Sequence, residues 1–136
     1  MAKILIVEDS PAQAALIAEL IAEAGHQPHK CTDASVPVQQ LVATFEPDIV
    51  LLDLILNTPA GSPRADGFQL CREIKRHSPA ISVVIVSAQD DEDAAEWAEL
   101  QGADGYLRKP FAYEELLQTI TALVDRASHR EREPQR

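Results

Sequence analysis

The chain has 136 residues, 46% apolar and 25% charged, which suits one packed domain and argues against disorder. With 22 acidic against 12 basic residues it carries a formal charge of −10, excluding a broad phosphate-backbone footprint and adsorption to anionic lipid. Cys31 and Cys71 make neither a disulfide framework nor a metal-ligand spacing. No apolar run approaches the roughly 20 residues of a membrane span. The opening Met1-Ala2-Lys3 leads directly into a short apolar run rather than a signal peptide, so a cytoplasmic protein with reduced cysteines is expected.

Short β-branched runs alternate with helical patterns. Ile4-Leu5-Ile6-Val7 is continuously apolar, as in a strand buried on both faces of a parallel sheet. Ser10-Pro11-Ala12-Gln13 reads as a capping box, with Ser10 as N-cap, Pro11 at N1 and Gln13 at N3. The helix it opens carries a stripe of Leu16, Ile17, Leu20, Ile21 and Ala24 and stops at Gly25. Gln27 to Cys31 is a weak strand, acceptable at a sheet edge where Pro28 is tolerated. A second helix is expected from about Ser35–Pro37 to Thr44, with Val38, Leu41 and Val42 inward.

Ile49-Val50-Leu51-Leu52 is the clearest central strand and ends at Asp53. Gly67 to about His77 forms the third helix, with Leu70, Cys71 and Ile74 on its apolar side. Val83-Val84-Ile85-Val86 is the fourth strand and ends at Ser87; a helix with an acidic head at Asp90–Asp93 then runs through Ala94 to Gln101. Gly105-Tyr106-Leu107 is a short fifth strand. The last helix spans Tyr113 to Ala127, and Ser128 to Arg136, without apolar residues, reads as a frayed tail. Strands separated by single helices imply right-handed crossovers and a parallel sheet covered on both faces.

In such a sheet, ligands bind outside the carboxyl ends of the strands. Glu8 and Asp9 follow the first strand, Asp53 the third, Ser87 the fourth and Lys109 the fifth. Each has an ordinary structural role when taken singly: acids at a helix start, a strand terminator, a loop hydroxyl, a surface charge. Their shared position in one topology is what points to chemistry. Three crowded carboxylates demand a cation, and a hard, oxygen-loving ion such as Mg²⁺ suits them. A carboxylate beside that ion and a lysine can attack phosphorus, while the ammonium and a hydroxyl stabilise the phosphoryl oxygens.

The motifs Ile4-Leu5-Ile6-Val7-Glu8-Asp9-Ser10, Leu51-Leu52-Asp53-Leu54, Val86-Ser87-Ala88 and Gly102-Ala103-Asp104-Gly105-Tyr106-Leu107-Arg108-Lys109-Pro110-Phe111 span nearly the whole chain. In order and spacing they resemble the receiver domain of two-component response regulators, close in size to the single-domain chemotaxis regulators. The resemblance implies an α/β fold, a single-domain (βα)5 doubly wound parallel sheet with flavodoxin-like strand order 2-1-3-4-5, over residues 1–127. It makes Asp53 the phosphoacceptor. Glu8, Asp9 and Asp53 become Mg²⁺ ligands together with the backbone carbonyl of Ile55. Ser87 becomes the switch hydroxyl, Tyr106 the aromatic that turns inward with it, and Lys109 the lysine that contacts the phosphoryl group. The Lys109–Pro110 bond is expected to be cis.

Two departures stand out. Leu54 to Ala65 is longer than the family's usual loop, an insertion beside the phosphoacceptor, and Glu8 and Ser87 stand where Asp and Thr are common. Trp97 before Gln101-Gly102-Ala103 resembles the pilus-motility single-domain regulators; it borders the buried stripe of the fourth helix.

The implied function is a non-enzymatic, phosphorylation-controlled binding module. A sensor histidine kinase or histidine phosphotransfer protein would donate the phosphoryl group. An output protein would bind the face formed by residues 91–124. With only nine residues after Ala127, an appended DNA-binding domain is not expected. The alternative within the family is a phosphorelay intermediate or phosphate sink. An aspartate-nucleophile phosphatase would need its nucleophile after the first strand with a second Asp two residues on, which Glu8-Asp9-Ser10 does not supply. A flavodoxin-type binder would need a phosphate loop there, which is also lacking.

Overall fold

The computed structural model describes residues 2–8, 10–32, 38–53, 67–87, 96, 98–100 and 102–132. Its order is β1 (Lys3–Val7), α1 (Pro11–Glu23), β2 (Gln27–Cys31), α2 (Val38–Phe45), β3 (Ile49–Asp53), α3 (Gly67–His77), β4 (Ser82–Ser87), a helix α4 described at residues 96 and 98–100, β5 (Gly105–Arg108) and α5 (Tyr113–Arg132). The five strands form one sheet in the order β2-β1-β3-β4-β5, and each pair is parallel. Pro28 sits on the edge strand, paired in register with Ile4.

Alternation along the strands divides the core in two. Ile4, Ile6, Ile49, Leu51, Val84, Val86 and Leu107 face α1 and α5, meeting Ala14, Ile17, Ile21, Leu116 and Ile120. Leu5, Val7, Val50, Leu52, Val83 and Ile85 face the other way, against Val42, Cys71, Ile74 and Ala98. Burying each large aliphatic side chain stabilises the fold by about 1.5–3 kcal/mol. Burial on both faces is why these strands read as continuous apolar runs.

The α1 stripe differs from the expected one. Ala14, Ile17, Ala18 and Ile21 are buried, whereas Leu16 is 58% exposed and Ala24 lies at the surface. The buried set repeats at i, i+3, i+4 and i+7 and places two alanines against the sheet, allowing the helix to approach closely; Leu16 falls one residue off that line. The C-terminal stop is as expected: Gly25 has φ +93°, its N–H donates to Ala22 O at 3.0 Å, and the His26 N–H donates to Ile21 O at 3.1 Å.

Helix α2 ends at Phe45, with Val42 buried and Leu41 half-buried; the expected start at residues 35–37 and the side chain of Val38 lie outside the described residues. Helix α5 runs to Arg132 rather than Ala127, so the expected frayed tail is helical over residues 128–132. Ala127, Arg130, Glu131 and Arg132 belong to residue types that favour helix. Residues 133–136, the long loop at 54–65, Asp90–Asp93 and Trp97 lie outside the described residues.

Candidate functional site at the carboxyl edge of the sheet

Because all five strands run the same way, their carboxyl ends share one edge. Glu8 follows β1, Asp53 is the last residue of β3, Ser87 the last of β4, and Lys109 follows β5. Register keeps these ends level: Val7 pairs with Leu52, Asp53 with Val86, and Ser87 with Arg108. The β1/β3 junction, where chain order reverses, is the switch point at which such sheets bind ligands.

Glu8 is only 3% exposed, unusual for a carboxylate that is not paired. Its Oε2 accepts from the Lys109 ammonium at 3.0 Å, joining residues 101 apart in sequence. Its Oε1 accepts from the Ser10 N–H at 3.3 Å, satisfying a backbone donor at the start of α1. Lys109 is half-buried and also donates to Gln13 Oε1 at 3.0 Å. Its own N–H donates to Ser87 O at 2.7 Å, tying the lysine to the end of β4. The Lys109–Pro110 bond is cis, as expected.

Ser87 is fully buried. Tyr106 pairs in register with Ile85, packs half-buried against the core on the α2/α3 side, and has a buried hydroxyl with no hydrogen-bond partner among the described residues. The structure therefore brings Glu8 and Lys109 into contact and sets Asp53 and Ser87 at neighbouring strand ends. Asp9 and Ile55 lie outside the described residues, as does the side chain of Asp53.

The capping box forms only in part. Ser10 Oγ accepts from the Gln13 N–H at 3.4 Å, but the Gln13 side chain turns to Lys109 and Glu8 takes the Ser10 N–H instead. Gln13 is the site residue that sequence reasoning assigned to another task. The local pattern contains no signal for it, because its partner lies 96 residues away.

A buried carboxylate, with Asp53 ending the next strand, is a hard-oxygen donor set, which fits a hard divalent cation. Among the described residues no group of three or more His, Cys, Asp or Glu side chains is placed to hold a metal ion. Asp9 and the carboxyl of Asp53 are outside that set.

Comparison with known proteins agrees with this layout. A family described as response regulator receiver domain matches residues 4–121. The chain is 36% identical over 126 residues to Protein PilH of Pseudomonas aeruginosa, covering 91% of this chain and 98% of that one. It is 33% identical over 129 residues to the DNA-binding dual master transcriptional regulator RpaA of a Synechocystis strain, of which it spans 50%. Among solved structures, the receiver domain of the Francisella response regulator 1452 superposes with a TM-score of 0.80 at 25% identity, covering 93% of this chain and 98% of that one. NtrX from Brucella abortus superposes with a TM-score of 0.83 at 28% identity, covering 96% of this chain and 29% of that one. With the strand order, the buried Glu8–Lys109 pair and a family match across most of its length, this chain belongs to the response regulator receiver domain family.

Proposed function

We propose that Asp53 is the phosphoacceptor of this receiver domain and that phosphorylation controls a protein-binding face. The observation that carries the reading is the Glu8–Lys109 pair, 3.0 Å apart at the sheet edge on which β3 ends in Asp53. An Asp53 carboxylate oxygen attacks phosphorus; a new P–O bond forms as the bond to the donor breaks. With a phosphohistidine donor from a sensor histidine kinase or histidine phosphotransfer protein, the imidazole leaves and gains a proton.

The Lys109 ammonium neutralises charge on the phosphoryl oxygens, and the Ser87 hydroxyl donates a hydrogen bond to one of them. Glu8, Asp9, Asp53 and the carbonyl of Ile55 would hold Mg²⁺, which when bound supplies further neutralisation of that charge. Capture of the phosphoryl group by Ser87 and reorientation of Tyr106 shift a two-state equilibrium.

Output runs through protein contacts on the face of residues 91–124, without enzymatic turnover of a further substrate, in the cytoplasm. What supports that face is a groove of about 430 Å³ lined by Ala98, Ala103, Tyr106 and Arg126, near Leu100, which is 75% exposed. A formal charge of −10 supports an output through protein contacts rather than through a phosphate backbone. Among the described residues, no helix is long and apolar enough to cross a membrane.

The decisive experiment is incubation with Mg²⁺ and acetyl phosphate, followed by intact-mass measurement. One acid-labile phosphoryl group is expected on the wild type and none on Asp53→Asn. An unmodified wild type, or an equally modified variant, overturns the assignment.

A further inference from the structure

Helix α4 packs on one face of the sheet through Ala98, and α5 on the other through Leu116, Ile120 and Leu123. The groove between them therefore crosses the outer edge of the sheet at β5. Its two sides differ in charge. Glu99 lines it from α4 and Arg126 from α5; both are exposed, and neither side chain makes a hydrogen bond or ion pair among the described residues. The third charge, Asp104, is already neutralised, because its Oδ2 accepts from the Lys75 ammonium at 2.9 Å. Between these charges the lining is apolar: Ala98, Ala103 and the ring of Tyr106, whose hydroxyl is buried. Leu100, the residue after Glu99, is 75% exposed.

Residues 91–124 hold eight acidic side chains against two basic ones, a surplus of six where the whole chain carries −10. Such a face repels polyanions, which excludes nucleic acid and anionic lipid as occupants. A second copy of the chain would bring two of these faces together, and the same repulsion opposes it. We infer that the groove takes a basic segment of a partner protein. One large apolar side chain of that segment enters between α4 and α5, and a lysine or arginine beside it pairs with Glu99. Arg126 repels that cation and so fixes the direction in which the segment lies. This deepens the reading of residues 91–124 as the output face and rests on it.

The test selects binders from a random peptide library on the full chain treated with acetyl phosphate and Mg²⁺, at physiological ionic strength. Amide ¹H–¹⁵N shifts then place the bound peptides. Those that perturb Ala98, Ala103 and Tyr106 should carry net positive charge around a large apolar residue. Glu99→Lys should weaken them about threefold to thirtyfold, through one lost ion pair and one new repulsion. Exchanging the peptide's base for glutamate should restore binding to that variant. Glu114→Lys changes the net charge equally at an exposed position about 18 Å along α5 from Arg126. It should alter affinity by less than about twofold, because charges beyond a Debye length are screened.

The basic partner is overturned by any of four results. These are acidic or uncharged binders in the groove, no binder there at all, an equal loss in both lysine variants, or a dimer in sedimentation that Glu99→Lys dissolves. Control by phosphorylation fails separately. Peptides that bind the groove of treated wild type and of Asp53→Asn equally well overturn that control and leave the partner's chemistry standing.

Discussion

The Lys75 ammonium donates to Asp104 Oδ2 at 2.9 Å, joining α3 to the segment that enters β5 at the edge of the sheet opposite Lys109. The same carboxylate oxygen accepts from the Val83 N–H at 2.9 Å, and the Asp104 N–H donates to Val83 O at 2.7 Å. Lys75 further donates to Pro79 O and Ile81 O, at 3.2 and 2.9 Å. One ion pair therefore closes the α3–β4 turn and registers β5 against β4. The two edges divide the labour: this one holds the frame, and the carboxyl edge carries Glu8, Asp53, Ser87 and Lys109.

Asp104→Ala strips the Val83 amide of its side-chain acceptor and Lys75 of its counter-ion, and Lys75→Met removes three donations at once. Each is expected to destabilise the protein by about 1–3 kcal/mol, because part-buried partners lose hydrogen bonds, one of them to a charged group. Urea unfolding of both singles and the double variant should show a double that costs less than their sum by about 0.5 kcal/mol or more. Additive effects would mean the two side chains act separately.

Lys109→Ala should destabilise the protein when no divalent cation is present. Glu8 is nearly fully buried and loses a charged donor at 3.0 Å, a loss of about 1–3 kcal/mol. Glu8→Gln should cost less, because the lysine side chain, 20% exposed against 4% for Glu8, can turn its head to water. Urea midpoints measured in a chelator will rank the two; the reverse order would contradict this account.

His26 accepts the Ala2 N–H on Nδ1 at 3.1 Å, a bond that requires the neutral ring. Partial burial, with the nearby N-terminal charge, holds its pKa below the usual 6.5. The unfolded chain therefore takes up the proton first as pH falls. The contribution to stability is complete above 6.5 and is lost as pH drops through the lower native value. An NMR titration of His26 should give a midpoint under 6.5, and His26→Phe should flatten the stability profile across that window.

Cys71 is completely buried, and burial pushes its thiol up to about 11, with the Asp104 carboxylate adding to the rise and Lys75 opposing it. In a Cys31→Ser background, a thiol reagent at pH 8 should leave the native protein unlabelled and modify it only in denaturant. Rapid labelling of the native protein would show that α3 opens readily.

Gly25→Ala isolates a backbone effect. A Cβ there meets nothing within 4 Å, but φ is +93°, a conformation costly to a residue with a side chain. A loss of about 1 kcal/mol in urea unfolding is expected, with no change in phosphorylation.

The apolar runs alone determine where β1, β3 and β4 lie, because a strand buried on both faces leaves no polar position to confuse its limits, whereas β2, with only Cys31 buried, reads as no more than a weak edge strand. Glycine and proline mark the turns, and the parallel order then carries Glu8, Asp53, Ser87 and Lys109 to one edge without knowledge of a single contact. Partner choice is another matter. Ser10 and Gln13 can satisfy the α1 amides in several ways of similar energy. Only the arrival of Lys109 from 96 residues away decides that Glu8 takes the Ser10 amide and Gln13 turns to the lysine. Lys75 and Asp104, 29 residues apart, are brought to 2.9 Å by the fold alone. Leu16 likewise yields the sheet to Ala14 and Ala18 because the helix phase that buries Ile17 and Ile21 turns it toward solvent. Hydrophobic period is a local property of the chain, whereas the pairing of polar groups is settled through space.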